Sequence, residues 1–79
     1  MEKINLSPKA KNLKIGIYEH YKGNKYEVIG VGFYSETLQE VVIYKAMYEE
    51  NNLWARPLEM FLENVDVDGK MVPRFKFLN

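Results

Sequence analysis

From Ile15 onward the chain alternates apolar and polar residues in short runs, each closed by a turn signal. That period of two is the mark of half-buried strands. Ile15 to Lys22 and Lys25 to Tyr34 flank Gly23-Asn24, a two-residue connection of the kind that type I′ and II′ hairpins favour. Closing that turn sets Lys22 opposite Lys25, Tyr21 opposite Tyr26, His20 opposite Glu27 and Tyr18 opposite Ile29. Gly30 and Gly32 sit inside the second run, where glycine weakens a flat strand and permits a bulge or a sharp coil.

The pattern continues in the same style. "SETLQE" (Ser35 to Glu40) is a polar connection, with Thr37 and Glu40 at the spacing of a capping box on at most one helical turn. "VVIYKAMY" (Val41 to Tyr48) opens with β-branched and aromatic residues and reads as a strand. "LWAR" (Leu53 to Arg56) is a short strand stopped by Pro57. "PLEMFLEN" then places Pro57 at a first helical position and Leu58, Phe61 and Leu62 at spacings of three and four, a helical turn that plugs one end of the fold. Asp68-Gly69 marks a second hairpin, and Pro73, with no N–H to donate, makes the last segment an edge strand or a barrel-closing one. The expected fold is all-β: a small SH3-like barrel of five to six short antiparallel strands with one short helical turn. Residues 1–14 show no sustained period and contain Ser7-Pro8. They are expected to form a flexible basic leader ahead of one β-barrel domain over residues 15–79.

Composition narrows the function more than it names it. In 79 residues, 14% aromatic content is enough to fill a small core with rings. With no cysteine there is neither a disulfide framework nor a thiolate metal site. One histidine and scattered carboxylates give no metal-ligand spacing, so no metal and no cofactor are expected. Apolar runs are too short to span a bilayer, and nothing resembles a signal peptide; a cytoplasmic protein without membrane partners is expected. Net charge is zero, but residues 1–15 hold four lysines against Glu2 alone, leaving seven basic and ten acidic groups in the rest. A mildly acidic body argues against phosphate neutralisation as the main task, which demotes single-stranded nucleic acid as a partner.

The order Gly16-x-Tyr-x-His-Tyr-Lys-Gly-x-x-Tyr-x-Val28, then Ser35-Glu-Thr-Leu-x-Glu40, Val42-x-Tyr44, Trp54-x-Arg-Pro-Leu-x-Met-Phe61 and Asp68-Gly-x-x-Val-Pro-Arg-Phe75 resembles a small bacterial family, domain of unknown function 1653. The resemblance spans Gly16 to Leu78. It implies no activity and carries over no catalytic residue. It implies only that Tyr18, His20, Tyr21, Lys22, Gly23, Tyr26, Ser35, Glu36, Thr37, Tyr44, Trp54, Arg56, Pro57 and Phe61 are recurring positions.

Among candidate residues, His20 stands beside Glu27 in the expected register, and a carboxylate there favours the imidazolium. That makes it a half-exposed hairpin residue before it makes it a base. Tyr18, Tyr21, Tyr26, Tyr44, Tyr48 and Trp54 carry the stronger signal. Hydroxyl-bearing rings suit a boundary with one end wet, and such boundaries bind ligands. Trp54 and Arg56, two residues apart on one strand face, pair an indole platform with a guanidinium fork for a carboxylate or phosphate. An ion pair of Arg56 with Glu36, Glu59 or Glu63 is the competing expectation. The reading is a non-catalytic binding module using His20, Tyr21, Tyr26, Ser35, Glu36, Trp54 and Arg56. Its partner is an extended peptide or a small anionic ligand. Three alternatives stay open: a small enzyme or enzyme subunit using His20 with Ser35, Thr37 or Glu36; a single-stranded nucleic-acid binder; and a domain that dimerises through a strand edge, a monomer or weak homodimer otherwise.

Overall fold

The computed structural model describes residues 4–48 and 50–79. Each alternating run forms a strand: β1 (Gly16–His20), β2 (Lys25–Phe33), β3 (Glu40–Ala46) and β4 (Leu53–Pro57). After a helical turn, α2 (Leu58–Leu62), come β5 (Asn64–Val67), β6 (Lys70–Pro73) and β7 (Phe75–Phe77); a first helical turn, α1 (Pro8–Asn12), precedes them all. The antiparallel all-β class is as expected. Closure is not: the main sheet has the order β4-β3-β2-β1-β7 with an edge at each end, and β5 and β6 form a separate two-stranded ribbon.

The ribbon turns at the expected hairpin, Asp68 and Gly69, whose positive φ values of 52° and 84° are those of a type I′ turn. The Asp66 carboxylate holds that turn by accepting the Gly69 N–H at 2.8 Å. Pro73 ends β6, and the chain crosses at Arg74 from the ribbon to β7, the edge strand beside β1. The glycine pair in β2 also behaves as its sequence implies. Register slips between Val28 and Gly30, so Ile29 is the extra residue of a bulge, and the sheet coils there.

The first hairpin departs from expectation. Tyr18 faces Tyr26, Ile17 faces Glu27 and Glu19 faces Lys25. Neither His20 with Glu27, nor Tyr21 with Tyr26, nor Tyr18 with Ile29 is a pair. The loop holds three residues, Tyr21 to Gly23. His20 N–H donates to the Asn24 carbonyl at 2.8 Å, and Gly23 N–H donates back to the His20 carbonyl at 2.7 Å. Gly23 takes φ 107°, the left-handed residue that turns a tight bend into a three-residue hairpin. Glu27 instead forms an ion pair with Lys45 at 3.4 Å on the other face of the sheet.

One sheet face carries the core: Tyr18, Val28, Val42, Tyr44 and Phe75 are buried there under Leu58 and Phe61 of α2. Leu58 and Phe61 point inward as their spacing implies, while Met60 and Leu62 stay exposed. Pro57 is the residue before the helix rather than its first residue. Phe61 stacks on Phe75 with centroids 4.2 Å apart and planes 7° from parallel. The described part of the leader, residues 4–14, contains the helical turn α1. Ser7 caps α1, Pro8 opens it, and Ala10 is buried in the core cluster. Glu40 makes this possible: its two carboxylate oxygens accept the Ser7 N–H at 2.6 Å and the Ser7 hydroxyl at 2.7 Å. That carboxylate therefore serves α1 and not the expected capping box with Thr37, and the 35–38 loop is a turn. Both hydrogen bonds from Ser7 hold the Glu40 carboxyl below its ordinary pKa.

Candidate functional site

Alternation along paired strands brings several candidate residues onto the core face. Tyr44 faces Trp54, and Val42 faces Arg56, so the indole and the guanidinium share that face at the β4 edge. His20 and Tyr26 reach the same face from β1 and β2, with ring centroids 6.4 Å apart. Phe75 joins them: His20 lies edge-on to it at 4.9 Å and Tyr26 at 5.7 Å.

Arg56 is half-buried at the centre of this group. Its Nε donates to the Tyr44 hydroxyl at 3.3 Å, and its guanidinium carbon lies 5.7 Å from the Phe75 ring centre. No carboxylate lies within 4.0 Å of it among the described residues. The expected pairing with Glu36, Glu59 or Glu63 does not form. Glu63 belongs to Arg74, whose Nη2 it accepts at 2.7 Å. The Arg74 Nε is buried and has no hydrogen-bond partner among the described residues.

Burial and these cations act on His20 in the same direction. Burial first, then the positive fields of Arg56, Arg74 and Lys22, hold its imidazole below the ordinary value of 6.5. This reverses the expectation of a carboxylate-supported imidazolium, because Glu27 is elsewhere. The Nδ1 atom accepts the Lys22 N–H at 3.2 Å, so the neutral ring carries its hydrogen on Nε2.

The tyrosines divide. Tyr18 and Tyr44 are core residues, and each hydroxyl is satisfied: Tyr18 donates to the Lys14 carbonyl at 2.7 Å and Tyr44 accepts from Arg56. Tyr26 and Tyr48 share a hydroxyl–hydroxyl bond of 2.7 Å at the rim. Burial, then that bond, pushes the Tyr26 phenol up to about 12. Of the candidate rings, Tyr21 and Trp54 are exposed, Trp54 at 52%. Tyr21 covers His20 at 4.5 Å and lines an open cleft of about 620 Å³ between the first hairpin loop and the ribbon, with Val67 and Pro73 opposite.

Ser35 and Glu36 are not part of either grouping. They lie in the loop after β2, whereas His20 lies at the loop before it. The length of β2, at about 3.3 Å per residue, separates them by roughly 25 Å. Thr37 is in the same distant loop, where its hydroxyl accepts the Gln39 N–H at 3.2 Å. The described structure therefore offers His20 no hydroxyl nucleophile from this loop. Sequence reasoning missed Arg74 and Phe75 as site residues. Their signal was the "VPRF" stretch, which places a cation and a ring directly after a ribbon-ending proline. Among the described residues no group of three or more His, Cys, Asp or Glu is placed to hold a metal ion, and no helix is long and apolar enough to cross a membrane.

Comparison with known proteins agrees with this architecture. No curated protein matches the chain. A crystal structure of a DUF1653 protein from Bordetella bronchiseptica is similar, with TM-score 0.81 and 31% identity over 87% of this chain and 91% of that one. The family described as "Protein of unknown function (DUF1653)" matches residues 16–77. With most of its length matched in sequence and its strands matched in space, the chain belongs to the DUF1653 family.

Proposed function

We propose that the domain is a non-catalytic binding module that takes an anionic group, from an extended peptide or a small ligand, on the face built by Arg56, Trp54, Tyr26, Tyr48 and His20. The observation that carries this reading is the half-buried residue Arg56, whose guanidinium has no carboxylate within 4.0 Å among the described residues. A charge withdrawn from water and left unpaired is costly, and a ligand anion removes that cost with a bidentate fork. The rings around it lower the local dielectric and strengthen the contact. His20 supports the reading from a second direction, since burial first and then the positive fields of Arg56, Arg74 and Lys22 lower its pKa, and an anion bound there would meet the same three cations. Its Nε2–H is an additional neutral donor.

The test is a titration of the protein with acetate, inorganic phosphate and an acidic peptide, followed at the Arg56 Nε and His20 resonances. Arg56 Nε and His20 are expected to shift together, and Arg56→Gln is expected to abolish the response while leaving the fold's amide spectrum intact. Shifts confined to surface lysines, or an undiminished response in Arg56→Gln, would refute the site.

A further inference from the structure

β4 is an end strand, hydrogen-bonded to β3 alone. The Ala46 N–H donates to the Asn52 carbonyl at 3.0 Å, and Asn52 is the residue opposite Ala46 in the register that pairs Lys45 with Leu53. Antiparallel alternation then assigns the backbone groups of Trp54 and Arg56 to β3 as well. The other side of β3 agrees, because Met47 N–H donates to the Lys25 carbonyl at 3.0 Å, so the odd residues there serve β2. Leu53 and Ala55 therefore turn their N–H and C=O groups away from the sheet. None of these groups meets a turn or loop partner among the described residues.

Edges of this kind are ordinarily blunted by a central lysine, an inward charge or a bulge. β4 carries the inward charge of Arg56 and ends in Pro57, but it has no lysine and no bulge, and its central residue is uncharged. That residue is Ala55, small and flanked by Leu53, 65% exposed, and Trp54, 52% exposed. We infer that a second copy of this chain docks along β4, antiparallel about a twofold axis at Ala55, so that two sheets become one.

In that register Ala55 exchanges both backbone bonds with its own copy, and each Leu53 N–H meets the other chain's Pro57 carbonyl. Pro57 has no N–H to return, so pairing ends where the chain turns into α2. Trp54 stands opposite the partner's Arg56 in a non-hydrogen-bonded pair, the closer of the two cross-strand spacings, with Cβ atoms about 4.5–5.5 Å apart. An indole then lies along the arginine on the side that Tyr44 leaves open, a cation–π contact that the twofold repeats. On the other face the exposed Leu53 side chain lies against the partner's Pro57. A foreign extended peptide would satisfy the same backbone groups. Only a copy of β4 sets a ring against a cation twice. The pairing rests on the β4 backbone; that the partner's Trp54 forms a wall of the Arg56 site rests on the binding reading above.

Sedimentation equilibrium at about 300 µM, a concentration that populates even a weak dimer, tests the pairing. The wild-type chain is expected at twice its monomer mass, with its single tryptophan emission moving to the blue as concentration rises. Ala55→Pro removes an N–H that faces outward and leaves the β3 ladder whole, and Leu53→Lys places a charge on the edge. Both are expected to be monomers with unchanged circular dichroism, melting below the wild type only at concentrations where the wild type is dimeric. A wild-type monomer at that concentration, or a dimer that survives both substitutions, overturns the pairing. So does an unrelated extended peptide that protects the Leu53 and Ala55 amides of a monomeric wild-type chain. Acetate titration of the Ala55→Pro monomer separates this from the binding reading. Binding at least about fivefold weaker than in the wild-type dimer is expected, a difference near 1 kcal/mol. Unchanged binding in that monomer removes the shared wall and leaves the Arg56 site standing.

Discussion

Replacing Phe61 with alanine should remove a large part of the stability of the fold. Its side chain is 1% exposed, stacks on Phe75 at 4.2 Å and meets Tyr18 and Tyr44 at 5.3 and 5.6 Å. Truncating a buried phenylalanine costs about 3–5 kcal/mol, transfer and cavity terms together. Lost ring contacts, at roughly 0.5–1.5 kcal/mol per pair, place this site towards the upper end. A 79-residue domain has roughly 4–12 kcal/mol in total at the usual 0.05–0.15 per residue. Phe61→Ala is therefore expected to lose between about a third and the whole of that stability, its melting temperature lower by about 15–30 °C. Urea denaturation followed by tryptophan emission and circular dichroism measures it, with Leu62→Ala, at an exposed neighbour, expected to cost under about 1 kcal/mol. A loss below about 1.5 kcal/mol for Phe61→Ala, with unchanged denaturant slope, would refute the view that α2 seals this core.

Two further outcomes concern titrating groups. His20 should titrate below 6.5, and Arg56→Gln should raise its midpoint. Because the folded value is the depressed one, the unfolded chain takes up the proton first, so stability falls as pH drops below 6.5; an NMR midpoint at or above 6.5 contradicts the cationic surroundings. Glu40→Gln keeps one accepting oxygen in place of two and should weaken the hold on Ser7, speeding hydrogen exchange at Ser7 and Ala10 without affecting the β2–β3 amides. With the Glu40 carboxyl depressed in the folded state, its contribution is present above its ordinary value of 4.5 and is lost as pH falls through the folded pKa. Equal exchange at Ser7 in both proteins would place the hold on α1 elsewhere.

What the sequence disclosed followed from local chemistry. Asp68-Gly69 can adopt two consecutive positive φ values, and Gly30 opposite Ile43 can absorb the slip that Ile29 introduces, so both features were readable in a few residues. The inward face of α2 was readable from the spacing of Leu58 and Phe61. Loop length at Gly23 was not. A glycine there permits a two-residue or a three-residue turn, and long-range pairing of His20 with Phe75 accompanies the latter. The first helix was hidden for a similar reason. Five residues are too few to show a period, and the anchor for Ser7 is a carboxylate 33 residues away. Trp54 and Arg56 could be placed on one face because a strand alternates. Ser35 and Glu36 could not be placed relative to His20 until the run of β2 between them was known. Closure into a barrel depends on whether two edges meet, which no strand pattern specifies; here β4 and β7 remain apart at opposite ends of the sheet order.

The separate ribbon has a practical consequence. Its tip at Asp68-Gly69 is exposed, and only Val65 and Val72 along its two strands are half-buried. A pair of strands this lightly supported opens well before the core does. At its root the Arg74 N–H donates to the Glu63 carbonyl at 3.0 Å, below which the chain rejoins the main sheet. An epitope or reporter peptide grafted between Asp68 and Gly69 would therefore lengthen a peninsula and leave the mainland's packing alone. That makes the tip the natural place to immobilise the domain for ligand screening, with both the Arg56 face and the β4 edge left free in solution.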